Sequence, residues 1–186
     1  MDTLHRPFKQ WTVEQYEALA DTGAFQPDER VELIEGMIVT VPPMNAAHAG
    51  AIRKGNRILM QAYGVTHDVG VQIPVNVGSR SQPEPDFSLT ALTRSEPGHP
   101  RSADLVIEVS DSSLDYDRMV KARVYAQGNF PEYWIMNLQD RLIEVHRDPV
   151  KTAKGWQYRT RFIVQPGEQL AALFAPSVMV NVADLL

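Results

Sequence analysis

The chain has 186 residues, 44% hydrophobic and 22% charged, with a formal net charge of −5; it predicts one domain, residues 1–186, able to bury a core, and argues against a protein that coats nucleic acid through a broad basic face. No run approaches ~20 consecutive apolar residues, which excludes a membrane-spanning helix. With no cysteine, disulfide frameworks and thiolate chemistry are also excluded.

The start Met1-Asp2-Thr3-Leu4-His5-Arg6-Pro7 lacks a basic-then-apolar signal layout, so a cytoplasmic location is expected. Thr12-Val13-Glu14-Gln15 reads as a capping box that opens a helix through Tyr16, Leu19 and Ala20. Gly23, Pro27 and Asp28 break that pattern. Val31 to Thr40, with Glu35-Gly36 at its centre, reads as a β-hairpin closed by Pro42-Pro43. From Ala46 to Ala62 the period is helical, with His48 one turn before Ile52 on the apolar face and Gly64 as the stop. Three strands follow: Val69 to Val77, with Pro74 marking an edge or bulge; Asp86 to Leu92, directly after Pro85; and Asp104 to Val109, a nearly unbroken apolar run typical of a buried central strand. Thr93 to Ser102 is a polar loop between the last two. A helix from Leu114 to Gln127, capped by Ser112 or Ser113 and ended by Gly128, leads to strands at Pro131–Met136 and Leu142–His146. The tail carries strands at Trp156–Val164 and Val178–Val182. Helices interleaved with a mixed sheet make this an α/β (α+β) chain, with an N-terminal helix and hairpin and a β-rich C-terminal tail. The clusters Arg53, Lys54, Arg57 and Lys151, Lys154, Arg159, Arg161 read singly as solvated faces.

Chemistry concentrates in a few residues. Glu108 stands inside an apolar strand, where a carboxylate has to be paired, hydrogen-bonded or metal-bound; a strand glutamate in a salt bridge is the plain alternative. Asp86 opens a strand after a proline and is either a functional acid or a turn aspartate bonded to nearby backbone. Asp117, Lys121 and Tyr125 recur at intervals of four and share a helix face, as a functional set or as an ordinary i,i+4 ion pair beside a packed tyrosine. Glu32 is a third carboxylate or an exposed strand acid. His48 is a ligand, a proton shuttle or a buried structural histidine. Two acids on neighbouring strands plus one amine are the minimal equipment for metal-assisted phosphodiester hydrolysis. Phosphate-loop, dinucleotide-binding, zincin and nucleophile-elbow motifs are all absent from the sequence.

In order along the chain come Val31-Glu32-Leu33-Ile34-Glu35-Gly36, His48-Ala49, Glu84-Pro85-Asp86, Leu105-Val106-Ile107-Glu108-Val109-Ser110, Asp117 through Lys121 to Tyr125-Ala126, Gly128, and Pro131-Glu132-Tyr133-Trp134-Ile135. With the ending Leu173-Phe174 through Asp184-Leu185, this series resembles the Uma-type restriction endonucleases, a branch of the PD-(D/E)XK nuclease superfamily, over nearly the whole chain. The resemblance implies a restriction-endonuclease-like core, a central mixed sheet flanked by helices. It implies that Asp86, Glu108 and the main-chain carbonyl of Val109 hold Mg2+ or Mn2+. It also implies that Lys121 replaces a lysine the superfamily motif carries two residues after the glutamate, where this chain has Ser110. Glu32 and His48 match further polar positions near the site, while Tyr125 and Asp117 are expected to fix the lysine. The expected protein is a metal-dependent endonuclease acting on nucleic acid, DNA foremost, as a homodimer and without a membrane. The alternatives are a non-catalytic nucleic-acid-binding or protein-interaction module that keeps the nuclease fold, and a metal hydrolase acting on a small phosphate ester.

Overall fold

The computed structural model describes residues 8–26, 28–94 and 98–186. The readings of residues 1–7, of Pro27 and of positions 95–97 in the polar loop lie outside the described residues. Helix α1 (Val13–Asp21) starts at Thr12, whose side chain and Gln15 cap each other reciprocally, as the capping box predicts. Strands β1 (Val31–Ile34) and β2 (Met37–Thr40) form the expected hairpin. Its two turn residues, Glu35 and Gly36, have φ of 50° and 82°, the paired left-handed conformation that closes a two-residue hairpin. Helix α1 lies against this hairpin through Val13, Tyr16 and Leu33, and the Tyr16 hydroxyl donates to Val31 O at 2.9 Å.

The centre is a six-stranded mixed sheet in the order β3 (His67–Val71), β4 (Phe87–Ala91), β5 (Leu105–Ser110), β6 (Glu132–Asn137), β7 (Leu142–Thr152), β8 (Gly155–Val164). Only β5 and β6 run parallel, joined by a helical crossover, and every other neighbour pair is antiparallel. All six residues of β5 and all six of β6 are buried, the expected state of central strands whose runs are apolar on both faces.

One face of the sheet carries Phe87, Leu89, Leu105, Ile107, Trp134, Met136 and Val145. It is covered by α2 (Ala46–Tyr63), by the short hairpin of β9 (Gln169–Ala171) and β10 (Met179–Asn181), and by α5 (Val182–Leu185). Helix α2 comes close to β4 because Gly55 faces Phe87: an added Cβ would stand 2.8 Å from the ring. The other face carries Val106, Tyr133 and Ile135, and is covered by α4 (Ala122–Gln127) and by Ile34 of the hairpin.

Several expectations are corrected. The strand expected from Val69 to Val77 stops at Val71, because Gln72 turns left-handed at φ 52° and Pro74 has no N–H to give. The apolar run continues, but Val75 and Val77 bond to Pro83 O and Ser81 O instead of to the sheet. Strand β7 runs past His146 to Thr152, since antiparallel pairing with β8 persists through Pro149. The last strand ends at Asn181 because Val182 begins α5. The helix expected over Leu114–Gln127 is helical throughout but in three parts: α3 (Leu114–Tyr116), a π-helical turn Asp117–Lys121, and α4.

Candidate active site

The hydrophobic pattern that buries β5 forces Glu108 onto the sheet face beneath α4. Strand β4 pairs with β5, and Asp86, the residue just before β4, reaches the same place. Its Oδ2 accepts from Val109 N at 2.8 Å, which ties the first acid to the backbone immediately after the second. Its Oδ1 accepts from Gln72 Nε2 at 3.2 Å and faces His48 Nε2 at 3.0 Å. The His48 ring pKa lies above its ordinary value because that bond to the Asp86 carboxylate outweighs burial. His48 is placed by Asn45, which caps α2 by accepting from His48 N at 2.9 Å.

Lys121 reaches the same point from the helical crossover. Its Nζ lies 3.0 Å from Glu108 Oε1 and 2.8 Å from Glu32 Oε2, with 2.9 Å to Glu32 Oε1. Glu32 is thus a buried acid locked to the lysine, not an exposed strand acid, and Glu84 N also donates to it at 3.0 Å. Burial works against the ammonium, but the two glutamates overcome it and hold the lysine pKa above its ordinary value. Tyr125 donates to Glu108 Oε1 at 2.6 Å. Its hydroxyl is pushed well above its ordinary pKa, chiefly by burial and next by the Glu108 charge, so it remains a donor.

The expectation that Tyr125 and Asp117 fix the lysine is corrected: Tyr125 grips the acid, and Asp117 accepts from the Ser113 hydroxyl at 2.6 Å. Burial pushes the Asp117 pKa up to about 6, against the opposing pull of Ser113 and Lys121. The π turn explains how the three still share a face. Four residues of α-helix turn about 400°, overshooting by about 40°. The wider π turn between Asp117 and Lys121 rotates less per residue and cancels the overshoot that α4 adds before Tyr125.

All of these side chains except Tyr125 and Gln72 line one cavity of ≈ 350 Å³, between the segment from β2 to α2 and the segment from β5 to the π turn. Sequence reasoning missed Gln72, Arg30 and Tyr116. Arg30 pairs with Glu84 at 2.5 Å on the cavity wall. Nothing in the local pattern around these three marks them; their roles come from long-range approach.

The site is short of positive charge. Glu108 is raised to about 8 by burial first, a pull Lys121 opposes, and further by Asp86, Asp117 and Glu32. Its Oε1 takes both donors, whereas Oε2 takes none among the described residues. A carboxylate with a free oxygen facing a cavity, in a cluster with more acid than base, suits a hard dication. Among the described residues no three His, Cys, Asp or Glu side chains converge as a ligand set. Asp86 and Glu108 alone offer carboxylate oxygens side by side here, the ligand type a hard dication takes.

The family model described as "Putative restriction endonuclease", Uma2, matches residues 13–183. The chain belongs to the Uma2 family. A crystal structure described as "a putative nuclease belonging to DUF820" from Anabaena variabilis superposes on this Uma2 chain with a TM-score of 0.73, covering 96% of this chain and 97% of that one at 15% identity. That likeness shows a shared fold over nearly the whole of both chains. No curated protein matches this sequence. Among the described residues no helix is long and apolar enough to cross a membrane.

Proposed function

We propose that this Uma2 chain is a single-domain, divalent-metal-dependent nuclease that hydrolyses phosphodiester bonds of nucleic acid, DNA foremost. The observation that carries the reading is the Glu108–Lys121–Glu32 cluster on the wall of the cavity, one strand from Asp86. Asp86, Glu108 and the Val109 carbonyl would hold the cation. The cation, when bound, supplies acidification of a water and stabilisation of charge building on the phosphate.

The chain's own groups do the rest. Lys121 presents a permanent charge toward the phosphate, kept charged by Glu32 when Glu108 turns to other work. Tyr125 holds Glu108 Oε1 and thereby aims Oε2 at the cavity. Gln72, Val109 N and His48 orient Asp86. Asp117 and the Ser113 hydroxyl brace the turn from which Lys121 extends.

The test is cleavage of labelled DNA in magnesium or manganese by wild type, Asp86→Asn, Glu108→Gln and Lys121→Met. Wild type cuts, each variant falls to the level of an EDTA control, and circular dichroism stays unchanged. Cleavage by Glu108→Gln equal to wild type would remove the mechanism.

A further inference from the structure

The cavity offers few free cations to the closely spaced phosphates of a duplex. Six carboxylates line it, Glu32, Glu84, Asp86, Glu108, Asp111 and Asp117, against two permanent cations, Arg30 and Lys121, and one histidine, His48, paired with Asp86. Both cations are already paired within the protein. Neither basic cluster of the sequence helps, since none of its residues lines the cavity. Lys151 and Lys154 sit at the β7–β8 tip. Strand β7 starts beside Asn137 and Ser110 at the cavity end of the sheet and runs antiparallel to β6, so that tip lies at the far end. Duplex binding depends on phosphate contacts by exposed Lys and Arg, and this mouth offers almost none.

What the mouth does offer is apolar. Val39, Val41, Pro42, Pro43, Met44 and Tyr116 line the same cavity as the acids. Tyr116 is 37% exposed and Met44 39%, large apolar groups left open beside a buried charge cluster. At ≈ 350 Å³ the cavity has the size of a small-ligand site, room for about one nucleotide. A duplex keeps its base faces stacked inside. A single strand exposes them, and an aromatic wall gains affinity from base faces whatever their sequence.

We infer that the Uma2 cavity takes a single-stranded segment of nucleic acid, with one base packed on Tyr116 against the Pro42–Met44 wall while its phosphate reaches the acids and Lys121. The inference rests on the nuclease reading and narrows it: one strand needs one site, so the paired copies expected for double-strand cutting are not required.

The experiment uses a short fluorescein-labelled DNA strand and the same strand annealed to its complement. Both are titrated by anisotropy in calcium, which takes the same hard oxygen ligands, with wild type, Tyr116→Ala and Tyr116→Phe. The single strand should bind roughly tenfold more tightly than the duplex. Tyr116→Ala should lose roughly tenfold for the strand alone, the size of one lost stacking contact, and Tyr116→Phe should keep the affinity, because the ring and not the hydroxyl is used. Equal affinity for duplex, or no loss in Tyr116→Ala, overturns the inference. Cleavage in manganese separates the two claims. A duplex cut as fast as the strand sinks this inference and leaves the nuclease standing. Strand binding that depends on Tyr116 with no cleavage of either substrate sinks the nuclease and leaves the ligand class standing.

Discussion

Two glutamates lie buried in adjacent strands of one sheet, on opposite faces, and their surroundings differ in kind. Glu132, at the start of β6, is fully enclosed: Arg147 Nε and Trp134 Nε1 donate to one oxygen at 2.8 Å each, and Leu173 N donates to the other at 2.6 Å. Arg147 also donates to Ala171 O, so this acid fastens the C-terminal segment to the sheet. Glu108, on β5, lines a cavity, has both donors on one oxygen with none on the other among the described residues, and has more acids than bases around it. An acid with both oxygens answered is part of the framework. An acid left half answered beside a cavity is held ready for something that is not protein.

Mutation should separate the two acids. Removing the Glu132 carboxylate should do the greatest damage to stability, because Arg147 and two N–H donors are left without their acceptor. Glu132→Ala is expected to lose about 3–5 kcal/mol in urea unfolding, the cost of breaking a buried pair, with activity per folded molecule retained. Glu108→Gln should shift stability by about 1 kcal/mol or less, since it removes a charge the site struggles to accommodate, while activity disappears. A Glu108→Gln protein as unstable as Glu132→Ala would erase the distinction.

His146 is a second buried group with an unanswered atom, outside the acid cavity. Its Nδ1 has no partner among the described residues, and its pKa is depressed to about 4, by burial first and then by Arg161. The unfolded chain binds this proton near 6.5 and the folded one near 4, so stability is complete above about 6.5 and is lost as pH falls toward 4. The loss should be on the order of 3 kcal/mol. His146→Leu should flatten that window in pH-dependent urea unfolding; an unchanged slope would show that the group does not titrate this way.

Gln72 is the smallest lever. Gln72→Ala removes one donor to Asp86 and is expected to weaken metal affinity roughly 10-fold, the effect of losing a group that orients a ligand, with little change in melting temperature. Metal affinity equal to wild type would remove Gln72 from the site.

Much of this was legible in the sequence. Glu108 amid Leu105, Val106, Ile107 and Val109 announced a buried acid, and Pro85-Asp86 placed a second at the mouth of the neighbouring strand. The hairpin turn and the α1 cap were equally plain, because local chemistry decides them. What stayed hidden depends on contacts across the chain. That Lys121 would be shared by Glu108 and Glu32 needed the hairpin to dock beside Gln82–Glu84, through the Leu33–Gln82 bridge and the Glu84 N–Glu32 bond. The π turn has no sequence mark in Asp-Arg-Met-Val-Lys, and Gln72 gave no sign of its left-handed backbone. Glu132 and Glu108 look alike in sequence, an acid in an apolar strand each, and only the donors around them separate their roles.

The central claim is that Asp86 and Glu108 jointly grip one hard dication. Isothermal titration of manganese into wild type, Asp86→Asn, Glu108→Gln and, as the framework control, Glu132→Gln tests it most directly. The account predicts one site in wild type and in Glu132→Gln, and none in either of the other two; manganese binding that survives in Asp86→Asn and Glu108→Gln would contradict it.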